Sequence, residues 1–166
     1  ASILNVTQDE IGDPLHILSG TDVSDLGTAS LGETLDSLLG VTTSDYGSAV
    51  GQPIIRGLSG SRVKILTNGL VNRDVAGIGA DHKNEVDLSD IQQIEVVRGP
   101  SSLLYANGAS GGIVNIVDNT IATSDIEKRL FKLGFESQSV NSGDGQSFSV
   151  ADNLGGLKLY FSYINN

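Results

Sequence analysis

The chain has 166 residues, enough for one domain of ordinary size and a short appendage. It contains no Cys, Met or Trp, so its core must be built from Val, Ile, Leu and Ala without disulfide or thiolate–metal links. Twenty acidic against ten basic residues give a formal net charge of −10, which disfavours nucleic-acid binding, and no apolar run approaches the ~18 to 20 residues of a membrane-spanning helix.

The first elements of the chain are short. Residues 2–7 (SILNVT) favour an extended segment, and Leu15 to Leu18 favour a first core strand. Ser19 or Thr21 can cap one or two helical turns that follow. The chain therefore begins with an extended segment, a strand and a short helix.

A stronger helix signal starts at Ser30. Ser30 and Glu33 have the spacing of a capping box, and Gly40 is a stop signal. Four leucines fall on one face of this helix: Leu31, Leu35, Leu38 and Leu39. Residues 41–52 then predict a loop that runs into a strand at Pro53 to Arg56.

The centre of the chain predicts more strands. Apolar runs favour strands at Val63 to Leu66, Ile94 to Val97 and Ile113 to Val117. Asn68-Gly69 is a turn signal, residues 70–87 are loop-like, and Leu88 to Gln92 favour a helical turn. Pro100 suits the first position of a short helix over Ser101 to Tyr105. These elements predict an α+β fold with short helices and a small mixed sheet that also contains Pro53 to Arg56.

Residues 108–112 read GASGG and contain a G-x-S-x-G pattern. A nucleophile elbow needs a strand before the Ser and a helix after it, whereas a strand is predicted to follow Ser110. His16 and His82 are the only histidines, and neither lies in a supporting motif. The sequence therefore predicts no enzyme.

The last part of the chain alternates with a period of two residues. Phe131, Leu133 and Phe135 alternate with polar or small residues, and Phe148, Val150 and the run from Leu157 to Tyr163 continue the pattern. The turn-like sequences SGDGQ and NLGG separate the runs. An antiparallel ribbon of three strands is predicted.

Four motifs, in their order and spacing, resemble the plug domain of TonB-dependent outer-membrane receptors. They are LGETLDSLLGV, PIIRG, RVKILTNG and IEVVRGPSSLLYANGASGGIVNI. The resemblance covers roughly residues 11–118 and implies a plug inside a barrel of about 22 strands. It divides the chain into an N-terminal extended segment at 1–10, a plug domain at 11–122 and the opening barrel strands at 127–166. It also implies that the small residues of GASGG allow the tight turns and close packing that a chain inside a barrel requires.

The resemblance implies roles for two arginines. Arg56 in PIIRG and Arg98 in VVRGP match plug arginines that face acidic residues of the barrel wall, where a guanidinium can meet a bidentate carboxylate. The plain alternative is that both are surface arginines paired with Glu95 or a nearby Asp. Where the wall is absent, both are expected to pair locally or with solvent.

The resemblance also implies a substrate. The loop at 68–87 resembles the apical loop of zinc-importing members, with Asp81 and His82 at the position of an adjacent Asp-His pair. Carboxylate and imidazole suit Zn²⁺, which would be a transported substrate and not a resident cofactor. The loop lacks the neighbouring histidines of those members, so a siderophore or another small ligand stays open, and a solvated His82 is the plain alternative.

The N-terminal segment has a counterpart in the family. Residues Ile3, Leu4, Asn5, Val6 and Thr7 resemble the segment (the TonB box) that adds a strand to TonB, the periplasmic energy-transducing protein. An ordinary first strand or a mobile tail is the alternative. The resemblance implies a location in the outer membrane, with the N-terminus facing the periplasm.

The length of the chain limits the expected activity. About 22 strands of ~9 to 11 residues each need far more than the about 40 residues from Glu127 to Asn166. We expect a truncated receptor with no closed barrel that is not transport-competent by itself, and whose exposed strand edges favour dimerisation or strand exchange. A stand-alone periplasmic or secreted plug-like binding module is the alternative, and the length of the native gene product separates the two.

Overall fold

The computed structural model describes residues 15–26, 30–45, 50–73, 86, 88, 90–120, 128–138 and 143–165. The chain divides into two compact units, Ala1–Asp118 and Asn119–Asn166. Across these described ranges, no helix is long and apolar enough to span a membrane.

The first unit contains strands and short helices in alternation. In chain order they are β1 (Leu15–Ser19), α1 (Gly20–Leu26), α2 (Leu31–Asp36), β2 (Val41–Asp45), β3 (Gly51–Ile55), a 3₁₀ turn (Gly60–Arg62), β4 (Val63–Thr67), β5 (Leu70–Val71), β6 (Ile91–Arg98), a 3₁₀ helix (Pro100–Leu104) and β7 (Gly112–Asp118). The α+β class predicted from the sequence is confirmed.

A mixed sheet of five strands forms the centre of this unit, in the order β1-β6-β7-β4-β5. β4 pairs with β7 in parallel, and the other neighbours are antiparallel. The central strands β6 and β7 are almost entirely buried, which explains their near-continuous β-branched and apolar sequences. The predicted strands around Leu15, Val63, Ile94 and Ile113 are therefore confirmed.

The segment at 51–55 lies in a different sheet from the one predicted. Among the described strands, β3 pairs with β2 alone, in a separate antiparallel sheet of two strands. β2 was expected to be a loop because its sequence, VTTSD, has little apolar character. Pro53 faces Thr43 in this pair, and a residue without an N–H is better accommodated at the edge of such a hairpin than in a central strand.

Both α-helices begin with a side-chain cap. Ser19 Oγ accepts a hydrogen bond from the Asp22 N–H at 3.2 Å, and the Asp22 carboxylate accepts one from the Ser19 N–H at 2.9 Å. Ser30 Oγ accepts from the Glu33 N–H at 3.2 Å, as the capping-box spacing predicted. Helix α2 ends at Asp36, however, so Leu39 falls outside it and is 85% exposed instead of lying on the buried face.

The sheet carries apolar residues on both faces. One cluster includes residues from α1, α2 and the β2–β3 hairpin together with Ile94, Val96 and Ile116. A second cluster joins Val97 and Ile113 to the segment after the 3₁₀ helix, where Ala106 and Ala109 are buried. The sheet is thus a central layer with a core on each side.

The chain between β4 and β6 differs in two ways from its predicted course. Asn68 and Gly69 have φ values of 50° and 82°, as a two-residue hairpin turn requires, and they connect β4 to the short strand β5 within the predicted loop. The helical turn predicted at Leu88 to Gln92 is wrong at its end, because β6 already begins at Ile91.

The second unit is an antiparallel sheet of three strands, β8 (Leu130–Gln138), β9 (Gly143–Leu154) and β10 (Leu157–Asn165), with β9 in the middle. Cross-strand rows on one face contain Phe131, Val150 and Phe161, and then Leu133, Phe148 and Tyr163. A row on the opposite face contains Lys132, Ser149 and Ser162. The predicted ribbon is confirmed. Its described strands form an open sheet with one largely apolar face, while the opposite face mixes Lys132, Ser149 and Ser162 with Leu130 and Tyr160.

Candidate functional site

Arg98, at the end of β6, lies where several elements of the first unit meet. Its guanidinium donates one hydrogen bond from Nη1 to the carbonyl oxygen of Leu39, in the turn after α2, and another from Nη2 to Nε2 of His16 on β1. Only 9% of the residue is exposed, and Nε is buried without a hydrogen-bond partner in the described part of the chain. Arg98 therefore links β6 to both β1 and the α2–β2 turn through neutral acceptors.

Arg56 lies beside Arg98, in the exposed turn after β3. Its backbone N–H donates to the carbonyl oxygen of Gly40 at 3.1 Å, and its own φ is 51°. A Cβ on Gly40 would lie 3.2 Å from Arg98 Nη1, and a Cβ on Gly99 would lie 3.9 Å from Arg56 Nη1. The two guanidinium groups thus share one corner of the unit, bordered by the turns at Gly40 and Gly99, which we call the arginine corner.

The charges in the arginine corner influence one another. Burial, and secondly the positive charge of Arg56, lower the pKa of Arg98. Burial and then the charge of Arg98 also hold the pKa of His16 below its ordinary range. Arginine stays protonated throughout the physiological range, so two positive charges occupy the corner. Among the described residues, no carboxylate lies within ion-pair distance of either guanidinium.

Glu95 does not pair with these arginines, contrary to the alternative considered from the sequence. Glu95 and Arg98 are three residues apart on one strand, so their side chains leave opposite faces of the sheet. The Glu95 carboxylate is 1% exposed and accepts hydrogen bonds from Asn115 Nδ2 at 2.9 Å and Gln93 Nε2 at 2.6 Å. Asn115 Oδ1 in turn accepts from the Gly69 N–H at 2.9 Å.

This amide–carboxylate chain is a feature that sequence reasoning missed. It crosses three neighbouring strands, β6, β7 and β4, and ends at the β4–β5 turn. Its signal in the sequence was a Glu inside IEVV and an Asn inside IVNI, since a polar residue in a buried strand needs a partner. Glu95 and Asn115 are directly opposite in the β6–β7 register.

The GASGG segment has no nucleophile geometry. Ser110 is exposed and lies in a turn, and the element before it is the 3₁₀ helix at Pro100–Leu104, not a strand. The close-packing interpretation has direct support at Gly111, where a Cβ would lie 2.9 Å from Leu58 Cβ and 3.0 Å from Val63 Cγ2. Space at this glycine is taken by the neighbouring turn and strand.

Several predicted site residues lie outside the described part of the chain. They are Asp81, His82 and the segment Ile3, Leu4, Asn5, Val6 and Thr7. Within the described ranges, no group of three His, Asp or Glu residues is placed to hold a metal ion. Of the predicted site residues, the structure describes Arg56 and Arg98 and places them together.

Comparison with known families decides what kind of domain carries this corner. The family model described as TonB-dependent Receptor Plug Domain matches residues 7–113. The chain belongs to this family. The matched range includes all five strands of the mixed sheet at least in part and both arginines, so the arginine corner is a feature of a plug domain.

Solved structures with similar folds are receptors and a transporter. The siderophore receptor PirA from Acinetobacter baumannii matches with a TM-score of 0.69 and 20% identity, over 97% of this chain and 26% of that receptor. The ferric yersiniabactin uptake receptor FyuA from Yersinia pestis matches with a TM-score of 0.65 and 21% identity, over 90% of this chain and 23% of that receptor. The copper transporter OprC matches with a TM-score of 0.64 and 19% identity, over 82% of this chain and 21% of that protein. The chain thus spans about a quarter of the length of these proteins, and identities this low compare folds only.

Proposed function

We propose that the chain is the gating and substrate-recognition plug of a TonB-dependent outer-membrane transporter for a metal ion or a metal chelate, and that it is not transport-competent by itself. The match to the plug family over residues 7–113 carries the proposal. The chemistry implied is selective passage, in which the plug binds cargo and then moves, without a covalent step. The full-length gene product tests it: a protein of several hundred further residues in alternating strands is expected, and a short secreted product would contradict it.

The proposed role of Arg56 and Arg98 is to meet carboxylates of the barrel wall. Arg98 uses its two described hydrogen bonds on neutral acceptors, so its charge is not compensated by them. Such a donor set suits a carboxylate, which can accept two parallel bonds from one guanidinium.

Arg56 is the better residue for testing this role, because it is exposed and its substitution should leave the plug folded. Arg56→Gln in the full-length transporter is expected to lower cargo uptake at unchanged outer-membrane abundance. Arg62→Gln, also at an exposed arginine of the same unit, is the matched control and should leave uptake unchanged. Wild-type uptake by the Arg56 variant would contradict a role in plug–barrel contact.

The second unit supports the proposed continuation into a barrel. Phe131, Leu133 and Phe161 are exposed on one face of the sheet, whereas Ser149 and Lys132 are on the other. Alternation of this kind is typical of strands that separate lipid from a polar lumen. We propose that residues 127–166 are opening barrel strands, with 11–122 as the plug and 1–10 as the N-terminal segment. In this chain alone, the edges of β8 and β10 remain open to dimerisation or strand exchange.

The cargo is proposed at the level of a metal or its chelate. Fold neighbours are named as receptors for siderophores, among them ferric yersiniabactin, and as a copper transporter. Zn²⁺ is the first candidate cargo. We propose Asp81 and His82 as two of its ligands, because a carboxylate and an imidazole can supply half of a four-coordinate zinc site. A ferric siderophore is the second candidate, favoured by the names of these fold neighbours.

One double variant separates the two cargoes. Calorimetry with Zn²⁺ on the full-length transporter is expected to show binding that the Asp81→Ala/His82→Ala variant loses, because two of the ligands are gone. Uptake of a radiolabelled ferric siderophore is the parallel measurement. If the intact protein ignores Zn²⁺ and takes up the ferric chelate, the transporter proposal stands and the zinc proposal is wrong.

Energy coupling is proposed to use the segment at residues 3–7, which would add a strand to TonB through exposed backbone. Deletion of residues 1–8 from the full-length transporter should abolish uptake while leaving cargo binding at the cell surface intact. Unchanged uptake after the deletion would exclude this role.

A further inference from the structure

Strand β1 is the outermost strand of the mixed sheet on its side, and a side-chain hydrogen bond joins it to Arg98. Among the described strands, β6 is the one neighbour of β1 in the sheet. His16 lies opposite Val96 in the β1–β6 register, and Arg98 follows two residues later on the same face of β6. The His16 imidazole therefore reaches the guanidinium diagonally across the strand pair.

The chemistry of this contact fixes the state of His16. A guanidinium can only donate hydrogen bonds, so Nε2 of His16 must be the acceptor and must carry no proton. The neutral ring then has its proton on Nδ1. A second proton, on Nε2, would remove the acceptor. It would also place a positive charge next to Arg98, which already lies beside Arg56.

We propose that His16 is a positioning residue for Arg98: its neutral ring holds the guanidinium in the arginine corner and ties β1 to β6, and protonation of His16 releases both. The proposal rests on the proposed function only in supposing that Arg98 meets a wall carboxylate. The His16 side chain matters because Arg98 has two described acceptors, His16 on β1 and the Leu39 carbonyl oxygen in the α2–β2 turn. Loss of His16 as an acceptor would leave the guanidinium held from one side.

Among the described residues, the charged group that acts on His16 is Arg98, which approaches from β6 and is cationic. Arg56, in the turn after β3, lies beside Arg98 and adds to the positive charge there, while the α2–β2 turn contributes a carbonyl oxygen. Glu95, the carboxylate of β6, leaves the opposite face of the sheet. Burial and the charge of Arg98 accordingly hold the pKa of His16 below its ordinary range.

The sign of the pH effect follows. Because the pKa of His16 is lower in the folded chain than in the unfolded chain, the contact stabilises β1 fully above the unfolded value of about 6.5, and this stabilisation is lost as the pH falls through the folded pKa. For each pKa unit by which folding lowers the pKa of His16, full protonation shifts the equilibrium between paired and detached β1 tenfold toward the detached state.

Nuclear magnetic resonance of the ring nitrogens in the 166-residue chain tests the contact directly. We expect His16 to be the Nδ1–H tautomer at pH 7.5 and to titrate below its ordinary range. In Arg98→Gln its midpoint should rise, because the neighbouring charge is gone. A His16 midpoint at or above the ordinary range, or one that is unchanged in Arg98→Gln, would overturn the proposal.

Hydrogen exchange of the β1 amides tests the consequence. Wild-type β1 should lose protection on going from pH 7.5 to 5, after correction for intrinsic rates, more than β4 does. His16→Gln can still accept from Arg98 through its amide oxygen but cannot titrate, so its β1 protection should be independent of pH. His16→Ala should have low β1 protection at both pH values. If His16→Gln shows the same pH-dependent loss as wild type, another group is responsible and the proposal is wrong. Neither measurement involves a barrel, so their outcome is separate from that of the uptake experiments.

Discussion

Replacement of Asn115 by Asp should destabilise the first unit in a strongly pH-dependent way. Asn115 is fully buried, donates from Nδ2 to the Glu95 carboxylate at 2.9 Å and accepts from the Gly69 N–H at 2.9 Å. Asn115→Asp keeps the shape and the acceptor for Gly69 but replaces the donor with a second carboxylate. Two buried carboxylates this close cannot both be ionised, so one of them must take a proton.

The free energy needed to protonate one carboxyl group sets the size of the destabilisation in Asn115→Asp. Protonating a carboxyl group of ordinary pKa about 3.9 at pH 7 costs about 4 kcal/mol, which is the ceiling on the electrostatic loss, because protonation is always available as an escape. The hydrogen bond that the new acid donates to Glu95 offsets part of this, so we expect a loss of about 3 kcal/mol at pH 7. Each pH unit below 7 should recover about 1.4 kcal/mol.

The sign is opposite to that of an ordinary ion-paired carboxylate. The introduced carboxyl has a folded pKa above its unfolded value, so the protonated form stabilises the fold below the unfolded pKa of about 3.9 and that contribution disappears as the pH rises through the folded pKa. Wild-type Asn115 cannot titrate. Between pH 4 and 5, the free energy of unfolding of the variant should therefore come within about 1 kcal/mol of the wild-type value.

Native-state hydrogen exchange of the β6 and β7 amides is the suitable measurement, since it reports the opening of the first unit alone. A loss of about 3 kcal/mol corresponds to roughly a hundredfold faster exchange at pH 7. Asn72→Asp adds the same charge at an exposed position next to β5 and should change exchange little. Equal exchange rates in Asn115→Asp and Asn72→Asp at pH 7 would refute the argument. They would mean that a carboxylate at position 115 is not buried against the carboxylate of Glu95.

Two further substitutions test packing and capping in the same unit by the same exchange measurement. Gly111→Ala would place its Cβ 2.9 Å from Leu58 Cβ and 3.0 Å from Val63 Cγ2. We therefore expect the free energy of unfolding to fall by about 1 to 3 kcal/mol. An unchanged stability would mean that the 57–63 segment can move aside without cost. Ser30→Ala removes the acceptor of the Glu33 N–H at the start of α2 and should cost about 1 kcal/mol, whereas Ser30→Gly should cost only a few tenths; an equal loss in both would point to packing of the Ser30 side chain and not to its cap.

The sequence was sufficient for the elements whose patterns are local. β4, β6 and β7 are apolar runs, the Asn68-Gly69 turn is specified by two adjacent residues, and the α2 cap by two residues three apart. β2 was missed because VTTSD is polar, and its strand conformation depends on pairing with β3 across the 46–50 segment. The assignment of β3 to the mixed sheet failed for the same reason, since which strands pair is a tertiary property.

The arginine corner shows the same division. The motifs PIIRG and VVRGP identified Arg56 and Arg98, but not the partners of Arg98. His16 is 82 residues away from Arg98 along the chain and meets it only because β1 and β6 pair in one register. The sequence alone suggests His16 only as a catalytic base, because nothing but the β1–β6 register connects it to an arginine.

The choice of partners in the corner is informative because carboxylates were abundant. The chain has twenty acidic residues and a net charge of −10, yet Arg98 is held by a backbone carbonyl and a neutral imidazole. A carboxylate in either position would have neutralised the guanidinium and, when buried, would have bound it strongly. In the described part of the chain, neutral acceptors orient Arg98 without neutralising its charge. If that charge meets a carboxylate of the barrel wall, as proposed above, a proton on His16 would release the guanidinium and make the meeting depend on pH.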